Sequence, residues 1–281
     1  MNKSSNKAAL CVGINEFKFL PQSSWLQGCV NDANDLSGLL EGKYGFPASG
    51  ITVLHDAGAD KDAVMAELSK LMDLAVTGTA DHLVFTFSSH GTQIPDASAD
   101  EADRLDEAFA CYGINNTGDA WDPATVIADD ELYGLFSKLP DGVLFEVVLD
   151  TCHSGTGLKS LDLLPGRRPR FVPAPTPRAV AASEYSDTRV LRDLVKAGGD
   201  SKPVLMAACR ADQTAADAYL EKRYNGAFTY NLVKALEADG TLPRADILKA
   251  VSKGLKAGGF DQVAQLEAST AARKAAWGTP G

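Results

Sequence analysis

The sequence lacks any apolar run approaching the roughly 18 residues that a membrane-spanning helix needs. It also lacks clusters of Lys and Arg dense enough to follow a phosphate backbone, and its net charge is −10. The stretch AALCVGI at 8–14 follows Lys3 and Lys7 but is too short for the core of a signal peptide. We therefore expect a soluble, cytoplasmic protein that binds neither nucleic acid nor membrane, and whose acidity favours cationic substrates.

Cysteine is sparse and scattered. The five cysteines contain no Cys-x-x-Cys pair; they are Cys11, Cys29, Cys111, Cys152 and Cys209. An odd, scattered set indicates neither a disulfide framework nor a zinc site, so we expect free thiols. Histidine is scarcer still, at four residues, which limits the bases available to activate a thiol.

Short apolar runs of strand length alternate with helical patterns along the chain. The predicted strands cover 8–14, 51–54, 82–87, 143–149 and 203–209. The predicted helices cover 30–41, 61–76 with Asp60 as N-cap, a short segment after 129–132, and stretches near 226–238 and 243–256. This alternation predicts an α/β fold, in which helices flank a mostly parallel sheet and the ligand crevice lies beyond the carboxyl ends of the strands.

Two long segments interrupt the alternation, and we expect both to be loops. Residues 91–125 carry an acidic group, and residues 154–200 are rich in Gly, Pro and Arg. Loops of this length in a compact domain are usually functional. We predict one domain over 1–281, divided into a larger part at 1–165, a linker loop at 166–200 and a smaller part at 201–281.

Cys152 follows the apolar run 143–149, at a position where side chains emerge into the crevice. Two interpretations are open, because a buried cysteine is either a small residue that closes the core or a nucleophile with a nearby imidazole. His153 is adjacent in sequence, where side chains usually diverge. His90 instead follows another buried strand and precedes Gly91, whose backbone N–H is able to approach an oxyanion. Parallel strands ending in His90 and Cys152 would bring the pair to one edge.

The motifs around these two residues resemble those of a known family. FSSHG and LDTCHSG are similar to the His and Cys motifs of the caspase-like cysteine peptidases, in particular the metacaspases and their bacterial relatives. Further matches run along the chain: LQGCVNDANDL at 26–36, IADDEL at 127–132, CRADQTAADA at 209–218 and GAFTYNLVKAL at 226–236. The Q-A-C-R-G type of signature of true caspases is absent. The resemblance implies a caspase-like three-layer sandwich and a monomer.

By this resemblance, the chain is a cysteine endopeptidase that acts on proteins or peptides. Cys152 attacks the scissile carbonyl, His90 handles the proton of the leaving amine, and the backbone N–H groups of Gly91 and Cys152 hold the oxyanion. The chemistry of this pair requires no cofactor and no third acid.

The resemblance also implies cleavage after Arg or Lys. The two pocket carboxylates of the family match Asp32 and Asp150, and Cys29 and Ser88 match further positions in the pocket wall. A carboxylate beside the thiol would repel an acidic substrate residue and pair with a guanidinium. A second interpretation stays open for Asp32, which is also placed to begin a helix.

Many metacaspases need calcium, and three of the family's calcium carboxylates match Asp106, Asp129 and Asp130. The fourth position is Lys159, a cation, although Asp162 lies nearby in the chain. Capping of a helix is an equal explanation for Asp129 and Asp130. Calcium dependence is therefore a hypothesis.

The arginine-rich loop is the last feature of interest. Related enzymes are cut or regulated there, so self-cleavage next to its arginines is one hypothesis and a solvated proline-rich loop is the other; these arginines are Arg167, Arg168, Arg170 and Arg178. Two other functions compete with the Arg/Lys-specific peptidase. One is a catalytically silent caspase-like regulatory module, and the other is a calcium-sensing scaffold.

Overall fold

The computed structural model describes residues 6–95, 105–152, 166–175, 203–210 and 213–281. The strands within these residues are β1 (Lys7–Gly13), β2 (Ile51–His55), β3 (His82–Ser88), β4 (Gly91–Pro95), β5 (Leu105–Ala110), β6 (Asn116–Thr117), β7 (Ala120–Trp121), β8 (Val126–Ala128), β9 (Leu144–Asp150), β10 (Arg167–Pro169), β11 (Val204–Ala207), β12 (Ala216–Leu220), β13 (Arg223–Gly226) and β14 (Gln265–Glu267). The helices are α1 (Cys29–Tyr44), α2 (Lys61–Val76), α3 (Asp129–Phe136), α4 (Ala227–Ala238), α5 (Arg244–Ala257) and α6 (Thr270–Lys274).

The central sheet has the strand order β2-β1-β3-β9-β11-β14. All neighbouring pairs are parallel except β11 and β14, which are antiparallel. Each of the five predicted strands forms one strand of this sheet. The prediction of a mostly parallel α/β sheet is thus confirmed, since continuous apolar runs need cover on both faces.

Helices cover both faces of the central sheet. On one face, Leu10 and Phe85 share a core cluster with Leu68 of α2. On the other, Val84 packs in a cluster with Ala33 of α1. Successive residues of a strand point to opposite faces, so one apolar run supplies both cores. The result is three layers, as predicted.

The predicted helices are present with small shifts of their ends. Helix α2 has the predicted bounds, and the side chain of Asp60 caps it by accepting the N–H of Ala63 at 2.8 Å. Helix α1 continues to Tyr44, beyond the predicted end at 41. None of the helices in the described ranges is long and apolar enough to cross a bilayer.

The prediction of a long loop at 91–125 was wrong. Strands β4, β5 and β8 form an antiparallel sheet, and β6 pairs with β7 in a hairpin. Buried apolar side chains such as Ile94 and Phe109 hold the three-stranded sheet against the core. Acidic residues beside these short strands interrupt the apolar pattern from which strands are predicted in a sequence. Residues 96–104, which carry most of the acidic group, lie outside the described residues.

Strands from the predicted smaller part complete two sheets. Strands β11 and β14 join the central sheet, while β12 and β13 form a second sheet with β10 in the order β10-β12-β13. Sequence patterns missed β12, β13 and β14 because these strands are short and mix polar with apolar residues. The second sheet matters for function, since β10 brings the arginine-rich segment to the carboxyl edge of the central sheet.

Candidate active site

The central sheet brings His90 and Cys152 to the same edge. Strands β3 and β9 are parallel neighbours, and their register pairs Ser88 with Asp150. His90 and Cys152 each lie two residues beyond this pair. Both side chains are buried. The sequence prediction that the two strand ends meet is therefore confirmed as a matter of position, whereas His153 lies outside the described residues.

The backbones of Gly91 and Cys152 are in direct contact. A Cβ atom at position 91 would lie 1.7 Å from the carbonyl oxygen of Cys152, so only glycine fits there. The N–H groups of both residues donate to one acceptor, the carbonyl oxygen of Arg170, at 2.9 Å from Gly91 and 3.2 Å from Cys152. Two converging N–H groups of this kind form a site for a carbonyl oxygen that gains negative charge.

The imidazole of His90 is held by one of its nitrogens. Nε2 lies 2.6 Å from the carbonyl oxygen of Ser24, and the ring packs against Phe17 with centroids 5.1 Å apart. Because a carbonyl oxygen only accepts, Nε2 carries the proton and Nδ1 has a lone pair. Among the described residues Nδ1 has no hydrogen-bond partner.

Burial keeps the imidazole uncharged at neutral pH. It lowers the pKa of His90 to about 4, against the opposing effect of the hydrogen bond to Ser24, and the positive charges of Arg170 and Arg168 lower the pKa further. A neutral ring with its lone pair on Nδ1 is the form that accepts a proton from a thiol.

The thiol of Cys152 lies against the backbone of Ala215. Its Sγ accepts the N–H of Ala215 at 2.5 Å and lies 3.4 Å from the carbonyl oxygen of the same residue. That carbonyl also accepts the N–H of Arg170 at 3.0 Å. The backbone of Ala215 therefore contacts both the sulfur of Cys152 and the N–H of Arg170. Arg170 is the residue whose carbonyl oxygen accepts the N–H groups of Gly91 and Cys152.

Three carboxylates surround the guanidinium of Arg170, which is fully buried. Nη2 donates to Oδ2 of Asp32 at 2.6 Å and to Oδ1 of Asp217 at 3.1 Å. Nη1 donates to the backbone carbonyl oxygen of Asp150 at 3.0 Å. It also forms an ion pair with Oδ1 of Asp150 at 3.2 Å, although the angle there does not allow a hydrogen bond. Ser88 Oγ accepts from Nη1 at 3.3 Å. We call Asp32, Asp150 and Asp217 the acidic pocket.

Backbone and side-chain donors hold each carboxylate of the acidic pocket. Asp32 accepts the N–H of Gly226 at 2.9 Å, and Asp217 accepts the N–H of Gly28 at 2.9 Å. Asp150 accepts both the N–H and the hydroxyl of Thr229, at 3.0 and 2.7 Å, in the first turn of α4. Helix N-termini favour negative charge, so this position stabilises the Asp150 carboxylate. Of the two interpretations of Asp32, as a pocket carboxylate or as a residue that begins a helix, these contacts favour the pocket. Its side chain accepts from the guanidinium of Arg170 and does not cap α1.

The acidic pocket has more negative than positive charge. Burial raises the pKa of Asp32 to about 7, with Arg170 lowering it and Asp150 raising it. Burial likewise raises the pKa of Asp217, against the lowering effect of Arg170. Burial alone would lower the pKa of Arg170, but the neighbouring carboxylates, Asp150 first, hold it well above its ordinary value. The carboxylates therefore stabilise a positive charge in the pocket. If the guanidinium were absent, the pocket would carry uncompensated negative charge.

Cys29 lies deeper than the other predicted pocket residues. It begins α1 one turn before Asp32, is fully buried, and belongs to the apolar core cluster. Burial raises the pKa of its thiol well above the ordinary value, and the nearby charge of Arg170 opposes this. Its position fits a wall of the pocket and gives it no hydrogen bond to the guanidinium among the described contacts.

Sequence reasoning missed Asp217 and the carbonyl of Ser24. Asp217 lies in β12 with its carboxylate directed at Arg170, and the match CRADQTAADA contains it. An isolated aspartate within the apolar pattern AADAYL was the available signal, since a buried carboxylate needs a partner. A backbone carbonyl such as that of Ser24 leaves no signal in a sequence.

The predicted calcium residues do not form a metal site in the described part of the chain. Asp106 lies in β5 and pairs with Ile94, while Asp129 and Asp130 occupy the first turn of α3. The described residues contain no group of three or more His, Cys, Asp or Glu side chains that could hold a metal ion. Lys159 and Asp162 lie outside them. The first turn of a helix favours acidic residues, which fits the alternative explanation.

Comparison with known proteins decides the family. A family profile described as Caspase domain matches residues 6–276. The chain belongs to the caspase family. Among individual proteins, it is 27% identical to Metacaspase-1 of Cryptococcus neoformans, over 94% of this chain and 62% of that protein. It is 28% identical to Metacaspase-2 of Arabidopsis thaliana, over 87% of this chain and 55% of that protein.

Two solved structures have a similar fold. A protein from Geobacter sulfurreducens aligns with a TM-score of 0.67 at 24% identity, over 98% of this chain and 99% of the other. Caspase-1 from Spodoptera frugiperda aligns with a TM-score of 0.58 at 15% identity, over 95% and 88% of the two chains. The predicted metacaspase resemblance and caspase-like fold are confirmed. The chain spans about three fifths of the length of the curated metacaspases it matches.

Proposed function

We propose that this caspase-family chain is a cysteine endopeptidase that cleaves protein or peptide substrates after Arg or Lys. The observation that carries the proposal is the acidic pocket, where one buried guanidinium meets three carboxylates beside Cys152. An acidic substrate side chain there would face three like charges, a juxtaposition that costs several kcal/mol. A guanidinium suits the pocket best, because its planar fork reaches several carboxylates at once.

The proposed nucleophile is Cys152 and the proposed base is His90. Nδ1 of His90 takes the thiol proton while Nε2–H remains bonded to the carbonyl of Ser24. The sulfur then attacks the carbonyl carbon of the substrate residue held in the acidic pocket. Negative charge develops on the carbonyl oxygen, and the N–H groups of Gly91 and Cys152 stabilise it.

The remaining steps follow from the proton on His90. The C–N bond breaks, Nδ1–H gives its proton to the leaving amine, and a thioester links the substrate to Cys152. His90 is then neutral again and removes a proton from water, which hydrolyses the thioester to a carboxylic acid and restores the thiol. The low pKa of His90 favours the proton transfer to the leaving amine, because a more acidic imidazolium gives up its proton more readily.

Short fluorogenic peptides test the proposal. They would end in Arg, Lys or Asp and be offered to the wild-type chain, to Cys152→Ala and to Arg170→Gln, whose pocket lacks its own arginine. We expect turnover after Arg and Lys but not after Asp, and a loss of about a thousandfold or more in Cys152→Ala. Cys11→Ala is the matched control, since it removes a buried thiol of a separate core cluster.

Two results would contradict the proposal. If neither the wild-type chain nor Arg170→Gln hydrolyses any of the peptides, the chain is a catalytically silent module. If hydrolysis follows Asp, or persists in Cys152→Ala, the pocket or the nucleophile is wrongly assigned.

A further inference from the structure

A second thiol, that of Cys209, lies beside the proposed nucleophile. Strands β9 and β11 are parallel neighbours, their register pairs Leu149 with Ala207, and the N–H of Ala208 donates to the carbonyl oxygen of Leu149 at 2.9 Å. Cys209 and Cys152 follow this pair by two and three residues, respectively. Neighbouring strands lie roughly 5 Å apart, and a disulfide joins Cα atoms that are roughly 4.4–6.8 Å apart. The ends of the two strands therefore bring the cysteines within reach of one covalent bond.

The two sulfur atoms also contact the same short stretch of backbone. Cys209 Sγ lies 3.4 Å from the carbonyl oxygen of Gln213 and 3.7 Å from that of Thr151, the residue before Cys152. Cys152 Sγ lies against the N–H and the carbonyl oxygen of Ala215, two residues beyond Gln213. Both side chains also pack in the same apolar cluster. The turn at 213–215 therefore supports both sulfur atoms on one side.

The two thiols interact directly. A hydrogen bond with the side chain of Cys152 is the largest of the effects that raise the pKa of Cys209 well above its ordinary value, and burial is the second. Negative charge on Cys152, Asp150 and Glu107 acts in the same direction. A hydrogen bond raises the pKa of the group that donates it, so the S–H of Cys209 is directed at the sulfur of Cys152. Cys209 thus keeps its proton at neutral pH while it faces the proposed nucleophile.

A role in packing alone does not explain the thiol at position 209. All five cysteines are free, and Cys209 is the half-buried one, whereas the other four are 0% exposed. A small apolar side chain would fill the same space, and alanine occupies the two preceding positions, 207 and 208. A thiol that is partly open to solvent and bonded to a second thiol has the arrangement of a pair that is oxidised together.

We propose that Cys152 and Cys209 form a modification site at which a hydroperoxide converts the two thiols into a disulfide, and that Cys209 thereby protects the nucleophile from irreversible oxidation. With the thiol proton on His90, the sulfur of Cys152 attacks hydrogen peroxide, the O–O bond breaks, and hydroxide leaves and takes the proton of His90. The sulfur of Cys209 then attacks the sulfenic acid on Cys152, the S–OH bond breaks, and hydroxide leaves with the proton of Cys209. Two thiols and one hydrogen peroxide thus give one disulfide and two waters.

Peptide mapping without reductant tests the modification site. The wild-type chain is treated with hydrogen peroxide, its remaining thiols are blocked with iodoacetamide, and it is digested with trypsin. We expect a cross-linked product that joins the peptides of Cys152 and Cys209, is lighter than their sum by two hydrogen atoms, and is separated by dithiothreitol. Cys11→Ala is the matched control and forms the same cross-link. A wild-type chain in which both residues carry the iodoacetamide label, or in which Cys152 joins another cysteine, overturns the proposal.

Replacing Cys209 tests its protective role. In Cys209→Ser the disulfide has no second sulfur, so continued exposure to hydrogen peroxide takes Cys152 to the sulfinic and sulfonic acids, which dithiothreitol does not reduce. The wild-type chain treated in the same way stops at the disulfide. Cys209→Ala gives the same result as Cys209→Ser, which excludes an effect of the serine hydroxyl. Equal amounts of sulfonic acid on Cys152 in the wild-type chain and in both variants would show that Cys209 does not protect it.

The peptide assay separates this inference from the proposed function. Each chain is assayed with Arg peptides against its own untreated rate. Peroxide lowers the wild-type rate about tenfold or more and dithiothreitol restores it to within about twofold, whereas Cys209→Ser stays inactive. If the disulfide forms but neither the wild-type chain nor Arg170→Gln hydrolyses any peptide, the modification site stands and the proposed function fails. If peptides are hydrolysed and no disulfide forms, the proposed function stands and the modification site is wrong.

Discussion

Two buried arginines lie at opposite ends of the same pair of strands, and their surroundings differ. At the amino ends of β3 and β9, Arg244 donates twice to Oε1 of Glu146, at 2.7 and 3.0 Å, and Oε2 of Glu146 lies 2.9 Å from Nε2 of His82. At the carboxyl ends, Arg170 meets three carboxylates. The first cluster has one carboxylate for one guanidinium, and the second has a surplus.

The other contacts of each arginine differ as well. Arg244 donates to the carbonyl oxygens of Ala272 and Thr279 at 3.0 and 2.9 Å, which ties the end of the chain to the sheet. Arg170 has no partner for Nε among the described residues. The comparison teaches that a balanced, fully bonded arginine suits a structural role, while an arginine in excess negative charge fits the proposal that its pocket is a site for cationic side chains.

The largest expected effect is on stability at the balanced cluster. Replacing Arg244 with Met leaves Glu146 buried without its partner, which destabilises a protein by about 3–5 kcal/mol. Arg170→Gln is the matched variant, and we expect a smaller loss, because β10 is an edge strand, so that residues 167–172 are able to detach and let water reach the three carboxylates. Chemical unfolding of both variants in the Cys152→Ala background measures the difference without interference from peptidase activity. Equal losses would abolish the distinction between the two arginines.

A smaller effect is expected on activity at the acidic pocket. Asp217→Asn removes one negative charge from the pocket and leaves its shape nearly unchanged. The expected loss is about 2 kcal/mol of transition-state stabilisation for Arg peptides, roughly thirtyfold in kcat/KM. The reference protein is Arg170→Gln, so that the guanidinium of Arg170 does not occupy the pocket. Glu146→Gln is the matched control at the other cluster, where we expect lower stability but the same kcat/KM per folded molecule. Full activity in Asp217→Asn would remove that residue from the pocket.

The smallest effect is a pH dependence set by Asp32. With the guanidinium of Arg170 in the pocket, burial raises the pKa of Asp32 to about 7, so lowering the pH through 7 adds a proton to the carboxylate and removes one negative charge. The value of kcat/KM for Arg peptides should therefore fall severalfold from pH 8 to pH 6, at most tenfold per pH unit. Titration of His90 does not cause this change, since its pKa is about 4. Asp32→Asn should be less active and show no such slope, and an unchanged slope would assign it to another group.

The sequence predicted the sheet, and the shared edge at which the strands leading to His90 and Cys152 end, because both depend on simple regularities. Continuous apolar runs mark buried strands, and parallel neighbours place their carboxyl ends together. The same reasoning placed Asp150 and Ser88 at that edge. It failed for 91–125, where short strands with polar neighbours have no clear period, and for Asp217, which reaches the site only through the pairing of β12.

The occupant of the pocket was the least predictable feature. Four arginines were candidates in the loop, and nothing local distinguishes Arg170 from Arg167 or Arg168. The distinction arises from register, because β10 pairs with β12 in the one alignment that puts Arg170 next to Ala215. Register between distant segments is a property of the folded chain. Arg178 lies outside the described residues, so its position adds no test.

The acidic pocket draws its carboxylates from α1, the end of β9 and β12, at positions 32, 150 and 217. His90 and Cys152 both precede β12 in the chain. A newly synthesised or truncated chain that stops short of residue 217 therefore possesses the thiol and the imidazole but only two of the three carboxylates of the proposed specificity pocket. The proposed selectivity is thus completed only when the last quarter of the polypeptide is made, after the proposed reactive groups.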